Sequence, residues 1–363
     1  MRTASQRSET APRPRSWRYC RGAAGNLSEL PRRPVLVGAA REQLSRLPTA
    51  SVDCCITSPP YYQLRDYGVA GQLGAEPHVD DWVSGLRGVL AEVARVLKPT
   101  GSLWLNLGDA YSRHARYGAP PKSLLLGPER LLLGLAADGW LVRNKVVWAK
   151  PNPMPRPVTD RLTTTYEPVY FLTRSPSYTF TLDDIREPHR SRRPAKSDSP
   201  ASPAKYGGTA WAGALAGSNA GLLRAHREGR VGHPLGKNPG DVWTIATAGY
   251  RGAHFATFPE ALVERPIRAT CPERVCTACG QPWQRQVESL RQLLPACDCQ
   301  ADWRPGVVLD PFFGAGTVGV VAERLGRDWL GVELNPAYAA LAEQRIQQAR
   351  QGADKPEPRA DAA

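Results

Sequence analysis

No uninterrupted apolar run in this 363-residue sequence approaches the roughly 20 residues of a membrane-spanning helix. The arginine-rich first residues also lack the apolar stretch of a secretory leader. Cysteine is missing from most of the chain: of eight, five fall between residues 271 and 299. That clustering excludes a scattered disulfide framework and points to a reducing, cytoplasmic setting and a metal. Acidic residues are in short supply, 34 against 47 Lys and Arg, for a net charge of +13. The excess is local. Residues 1–33 hold eight Arg and two Glu, and residues 183–240 hold ten basic and five acidic residues, so the remainder is close to neutral. Basic character confined to two segments suits a polyanionic partner, although charge alone also permits a merely solvated surface. The apolar content of 42% is enough for one large domain with an insertion, or for two domains.

What is present is organised around residues 307–317, Val-Val-Leu-Asp-Pro-Phe-Phe-Gly-Ala-Gly-Thr. A short apolar strand breaks into a glycine-rich turn, and 318–325 reads as a helix. This arrangement offers backbone N–H groups and a helix N-terminus to a polar ligand. Gly314 and Gly316 let the backbone approach that ligand closely. A second strand, 329–332, leads into Glu333, and an acid about 20 residues after the loop suits ribose hydroxyls. From the residues alone a nicotinamide cofactor also fits, since Gly314, Gly316 and Gly319 spell GxGxxG. So does an ordinary turn of an α/β core.

Residues 52–57 read as another strand, running into Ser58-Pro59-Pro60-Tyr61. Two prolines cannot continue a sheet ladder, so the chain turns out at a strand end, where open α/β sheets bind ligands. The Ser58 hydroxyl and Pro59 carbonyl are acceptors for the two N–H bonds of an exocyclic amine, freeing a lone pair otherwise delocalised into a ring. Tyr61 offers a stacking face worth about 1–3 kcal/mol against the cost of extruding a base. On their own these four residues read more readily as a strand-ending turn.

Taken together, Asp310 to Thr317, Gly331 to Tyr338 (GVELNPAY) and Thr57 to Gly68 (TSPPYYQLRDYG) resemble the beta class of DNA amino-methyltransferases, over roughly residues 34–348. The resemblance implies an α/β, Rossmann-like methyltransferase fold whose mostly parallel sheet is closed by an antiparallel hairpin. It implies circular permutation, with the catalytic motif ahead of the cofactor loop, and a zinc-binding insertion. It implies S-adenosylmethionine as cofactor, double-stranded DNA as substrate, a prokaryotic or phage-type setting and, in a restriction–modification pair, a cognate endonuclease. The residues so marked are Ser58, Pro59, Pro60 and Tyr61 for catalysis. Thr57, Phe255, Phe258, Pro259, Asp310, Pro311, Phe312, Gly314, Gly316, Thr317, Glu333 and Asn335 are marked for the cofactor. His254 falls in the cofactor-side segment, and amine attack on a sulfonium demands no catalytic histidine. One departure stands out. Where the family usually has an Asp after the glycine ending the first strand, this chain has Gly38-Ala39.

The elements between the motifs are expected as helices at 80–97 and 124–137, with strands at 34–38, 101–106, 141–148 and 167–173. The last two strands pair as the hairpin at the sheet edge, and a proline-rich loop, 150–156, lines the cleft. The expected organisation is a disordered basic arm (1–33), a catalytic half (34–182), a target-recognition region (183–240) and a cofactor-side segment (241–270). A zinc-binding insertion (271–304), a cofactor-binding half (305–348) and a disordered tail (349–363) complete it. Arg186, Arg190, Arg192, Arg193, Lys196 and Lys205 are the candidate DNA contacts, a flexible surface insertion being the alternative. Cys276-x-x-Cys279 and Cys297-x-Cys299 give four thiols in two close pairs, which suits a tetrahedral zinc ion; free thiols or a redox pair are the alternatives.

Methylation at the ring carbon of cytosine is disfavoured, because its cysteine nucleophile is usually presented by Pro-Cys and the chain has no such dipeptide. That leaves an exocyclic amine. Within the family the Ser form of the motif goes more often with N4 of cytosine and the Asp form with N6 of adenine. A nicotinamide oxidoreductase leaves the Ser58 motif and the basic segment unexplained. A non-catalytic, zinc-containing DNA-binding module leaves the glycine loop unexplained.

Overall fold

The computed structural model describes residues 34–155, 157–189, 233, 235–247, 258–285 and 292–353. The expected basic arm, most of the expected recognition region and the residues after 353 lie outside these.

The sheet is built from strands whose apolar runs are buried on both faces, as covered parallel strands require. Every residue of β2 (Val52–Thr57) and of β11 (Val307–Asp310) is buried. β3 (Leu97–Asn106) shows the two-residue alternation: Leu103 and Leu105 enter one core while Trp104 enters the other. Trp104 lies opposite Phe171 of β5 (Tyr166–Thr173), and their rings stack at 4.2 Å and 9°. With β1 (Val35–Val37), β4 (Leu141–Ala149), β6 (Val242–Thr244) and β12 (Asp328–Glu333), these make an eight-stranded sheet of order β1-β12-β11-β2-β3-β5-β4-β6. β5 runs antiparallel to both its neighbours, and the other pairings are parallel.

Helices cover both faces. α1 (Ala40–Ser45), α2 (Val79–Val96) and α3 (Gly127–Ala137) bury one side. α2 does so with a stripe at helical spacing (Val79, Trp82, Val83, Leu86, Val89, Leu90, Val93, Val96). The His78 side chain accepts the Asp80 N–H and starts the helix. α4 (Glu260–Thr270), α5 (Thr317–Arg324) and α6 (Pro336–Ala353) bury the other side.

The expected β4–β5 hairpin is present, but it does not close the sheet. β6 adds outside β4, and the Trp148 indole N–H donates to the Ile245 carbonyl at 2.8 Å to hold it there. The three-residue return of the chain at 242–244 is therefore the true edge.

Between α4 and β11 lies a small module of two-stranded ribbons. β7 (Val275–Cys276) pairs with β10 (Trp303–Arg304), and β8 (Gln284–Arg285) with β9 (Leu293–Leu294). It is rooted in the sheet's lower end. Arg304 lies 3.6 Å from buried Asp53, which also takes Lys98 at 2.5 Å and the Val307 N–H at 3.0 Å. Among the described residues no helix is long and apolar enough to cross a membrane.

From β11 the chain proceeds outward to β12, with β1 beyond it; from β2 it proceeds the other way to β3. β2 and β11 thus flank the topological switch point, and their C-terminal ends open the crevice where such sheets bind ligands.

Candidate active site

The two motifs meet at that crevice. The Thr57 hydroxyl donates to Asp310 Oδ1 at 2.7 Å, and the same oxygen accepts the Phe312 N–H at 3.0 Å. Asp310 is 1% exposed. Burial raises its pKa to about 7, against the opposing pull of the Thr57 hydroxyl and the Phe312 amide. Asp310 therefore shapes the turn from beneath and does not face the cavity.

Gly316 sits at the head of α5 with φ of 74°, and a Cβ there would come 2.9 Å from the Ala342 Cβ on α6. Its role is to let the loop lie on α6, and Gly314 is the glycine that lines the cavity. The Glu333 carboxylate is held at both oxygens: Gly314 N–H donates to Oε2 at 2.7 Å and Asn335 N–H to Oε1 at 2.8 Å. Burial raises the Glu333 pKa, and those two amides oppose the rise. Each oxygen keeps a further lone pair for an outside donor.

The cavity, about 310 Å³, runs from Glu333 to Ser58. Of the expected cofactor residues, Phe258, Pro311, Phe312, Gly314, Thr317 and Glu333 line it, as do Ser58 and Pro60. Thr57, Pro259, Asp310, Gly316 and Asn335 stand behind the wall. Pro259 is the N-cap of α4, and the Asn335 side chain accepts the Ala337 N–H at 2.9 Å to start α6. Ala39 lines the cavity where the family's acid is expected, followed by Arg41. Among the described lining residues Glu333 is the only acid. Sequence reasoning missed the loop after Tyr61, which contributes Tyr67, Gln72 and Leu73. Gln72 folds that loop by accepting the Tyr67 N–H at 2.8 Å.

At the Ser58 end the side chains form one network. Ser58 Oγ lies 3.3 Å from Asn106 Oδ1 and 3.4 Å from the Tyr61 hydroxyl. Tyr61 donates to Glu167 Oε2 at 2.7 Å, and Lys150 pairs with Glu167 Oε1. Asn106 Nδ2 donates to the same Glu167 Oε2 and to the Pro168 carbonyl, each at 3.2 Å. The Tyr61 ring packs where a Cβ at Gly108 would lie only 2.5 Å from it, so residue 108 has to be glycine. The Trp82 indole N–H takes the Pro60 carbonyl at 2.9 Å and pins the Pro-Pro turn to α2. Lys150 opens the proline-rich loop expected to line the cleft, but Asn106 and Glu167 carried no local signal. They sit at ordinary strand ends, and only the sheet order brings them to Ser58.

The four cysteines do come together: the sulfur atoms of Cys276, Cys279, Cys297 and Cys299 all lie within 4.8 Å of one another. Cys54, Cys55 and Cys271 are buried core residues, and burial raises the pKa of each. The DNA-contact set fares differently. Arg186 is used inside the fold, donating to Asp183 at 2.5 Å and to the Gly236 carbonyl at 3.2 Å, and so presents no free guanidinium. Arg190, Arg192, Arg193, Lys196 and Lys205, like His254 and Phe255, lie outside the described residues. The stem of that region is closed by Glu187 and Lys237, which exchange backbone hydrogen bonds of 3.0 and 2.8 Å.

Comparison with known proteins agrees with this geometry. The family model described as DNA methylase, of the N6/N4 type, matches residues 52–344. The chain is 33% identical over 334 residues to the type II methyltransferase M.SmaI of Serratia marcescens, covering 86% of this chain and 90% of that protein. It is 33% identical over 332 residues to M.Cfr9I of Citrobacter freundii, covering 85% and 86%. Among solved structures, the cytosine-N4-specific PvuII DNA methyltransferase shares the fold, with a TM-score of 0.52, 19% identity and coverage of 87% and 90%. The permuted sheet, the paired motifs and these relatives lead to one conclusion: the chain belongs to the N6/N4 family of DNA methylases.

Proposed function

We propose that the chain methylates the exocyclic N4 of cytosine in a base extruded from double-stranded DNA. The observation that carries this reading is Ser58 at the end of the cavity, backed by the neutral Asn106 amide. A hydroxyl in that position, its proton given to Asn106 Oδ1, is a neutral acceptor for the amine. The carbonyl of Pro59 is the second acceptor, that of Pro60 being taken by Trp82. Adenine N6 is the second reading, favoured by the Glu167 carboxylate in the same network, which brings an anionic acceptor near Ser58.

S-adenosylmethionine, the methyl donor of this family, fits the residues present. Glu333 has lone pairs left for ribose hydroxyls, Gly314 permits close approach of backbone, and Phe258 and Phe312 give apolar walls. When bound it supplies an electrophilic methyl group on a sulfonium. The chain's own part is to bind and orient. Ser58 and Pro59 draw the amine's hydrogens aside, so that its lone pair points into the cavity. Tyr61, fixed at its hydroxyl, holds one wall of the base pocket.

The Cys276, Cys279, Cys297 and Cys299 cluster fits a structural zinc ion. Zn–S bonds of about 2.3 Å place tetrahedral sulfurs about 3.8 Å apart, compatible with the observed cluster. The basic residues of 183–240 are proposed to meet DNA phosphates, Arg186 excepted. A cognate endonuclease would complete a restriction–modification pair.

The test is to incubate the protein with DNA and methyl-labelled cofactor, digest the product to nucleosides and identify the labelled one by mass spectrometry. N4-methylcytosine is expected. N6-methyladenine alone would replace the first reading by the second, and absence of transferred label would refute both.

A further inference from the structure

The Ser58 hydroxyl is aimed by residues that neither touch the cavity nor belong to its motif. Asn106 Nδ2 faces two acceptors, Glu167 Oε2 and the Pro168 carbonyl, each at 3.2 Å. Two acceptors on one side fix which end of the amide is NH₂. The Asn106 Oδ1 is thereby turned toward Ser58 Oγ at 3.3 Å and the Tyr61 hydroxyl at 3.1 Å. Asn106 is 4% exposed, so no bulk water competes for these bonds. Glu167 is the common anchor, receiving Asn106 and Tyr61 on Oε2 and Lys150 on Oε1. Lys150 lies over the Trp148 ring at 4.4 Å, which holds the cation in place beside the carboxylate.

We propose that Glu167, charge-balanced by Lys150, is a positioning residue for methyl transfer. By fixing the Asn106 amide it directs the Ser58 proton onto Asn106 Oδ1 and leaves the Ser58 lone pairs facing the target amine. This rests on the reading of Ser58 as the amine's acceptor. Burial, reinforced by the charge of Glu167, holds the Tyr61 pKa well above the usual range, so that hydroxyl remains a donor.

The consequence of losing the carboxylate follows from donor counting. Glu167→Gln leaves one side-chain oxygen, which the Lys150 cation claims, and sets a new NH₂ against that of Asn106. Only the Pro168 carbonyl then still favours the original amide orientation, so Asn106 is no longer fixed; its rotated form presents NH₂ to Ser58 and occupies the serine lone pair needed by the substrate.

The test is a set of single-turnover methyl-transfer rates on the full chain with DNA and S-adenosylmethionine, alongside calorimetric affinities for each. Glu167→Gln is expected to lower the rate about tenfold or more, with both dissociation constants within about threefold of the parent. Glu167→Gln combined with Asn106→Asp is expected to recover most of that loss. The carboxylate introduced on β3 offers Ser58 an acceptor in either orientation, and its other oxygen takes the NH₂ introduced on β5. A purely structural role predicts no such recovery. In a Ser58→Ala background, Glu167→Gln is expected to cause no further fall. A parental rate in Glu167→Gln, or a loss the second substitution does not repair, overturns the positioning role while the Ser58 reading stands. A parental rate in Ser58→Ala alone overturns both.

Discussion

Thr57 and Asp310 share a buried 2.7 Å hydrogen bond, although 253 positions separate them in the sequence. The bond joins the strand that presents the Pro-Pro motif to the strand that presents the glycine loop. Thr57→Val keeps the volume but leaves a buried acid with one donor fewer. A loss of about 1–3 kcal/mol is expected, read as a lower urea midpoint at unchanged slope. An unmoved midpoint would show that the two strands do not depend on this contact.

Stability should also depend on pH through Asp310. Its folded pKa of about 7 stands above its ordinary value of 3.8, so between these values the folded state holds a proton that the unfolded state has released. The contribution is complete at low pH and is lost as pH rises through 7. The slope attributable to this group is at most about 1.4 kcal/mol per pH unit. Asp310→Asn should remove that part of the slope between pH 5 and pH 7; denaturation series at several pH values measure it.

Cofactor affinity should fall by about 1.5–3 kcal/mol in Glu333→Ala, as hydrogen bonds to a charged group are removed. Gly314→Val should block binding from inside the cavity, its folding cost being the backbone strain of a branched side chain at φ of 51°. Gly316→Val should weaken binding and lower the melting temperature further, because its side chain is strained at φ of 74° and also strikes Ala342. Titration calorimetry and thermal melts separate the two; equal melting temperatures for both glycine variants would contradict the division.

Protein purified without chelator should carry one zinc ion per chain. Removing it should loosen the β7–β10 ribbon, and with it the Arg304–Asp53 contact that roots the module beneath β11. Elemental analysis followed by a melt with and without chelator is the check. Four thiols that titrate freely in the untreated protein would rule the metal out.

DNA affinity should drop steeply with salt as phosphate contacts release counterions. Replacing Arg192, Arg193 and Lys196 together should flatten the dependence, each lost phosphate contact reducing the log–log slope by about 0.9. A slope unchanged in the triple variant would place the DNA contacts elsewhere.

What could be read from the sequence was whatever has a local cause. Residues 52–57 and 307–310 announce themselves as buried strands because both faces are apolar, and the Pro-Pro and Gly-rich breaks mark their ends. The α2 stripe announces a helix. The outer strand β6 could be read as a return to the core, but its three residues gave no hint that it extends the sheet beyond the hairpin. Asn106 and Glu167 were invisible around Ser58 for a different reason. They come from β3 and β5, and only the pairing of those strands, with β4 beyond, brings them together beside Lys150. Arg186 shows the reverse failure: its charge could be counted, but its partner Asp183 could be known only from the turn between them.

The strand order also dictates a sequence of events during synthesis. β2 lies in the middle of the finished sheet, between β3 and β11. β3 leaves the ribosome soon after it, whereas β11 is made only in the last sixth of the chain. Until then β2 is an open edge of largely apolar residues, the kind of edge that recruits other strands. Every nascent copy must keep that edge covered for most of its translation time.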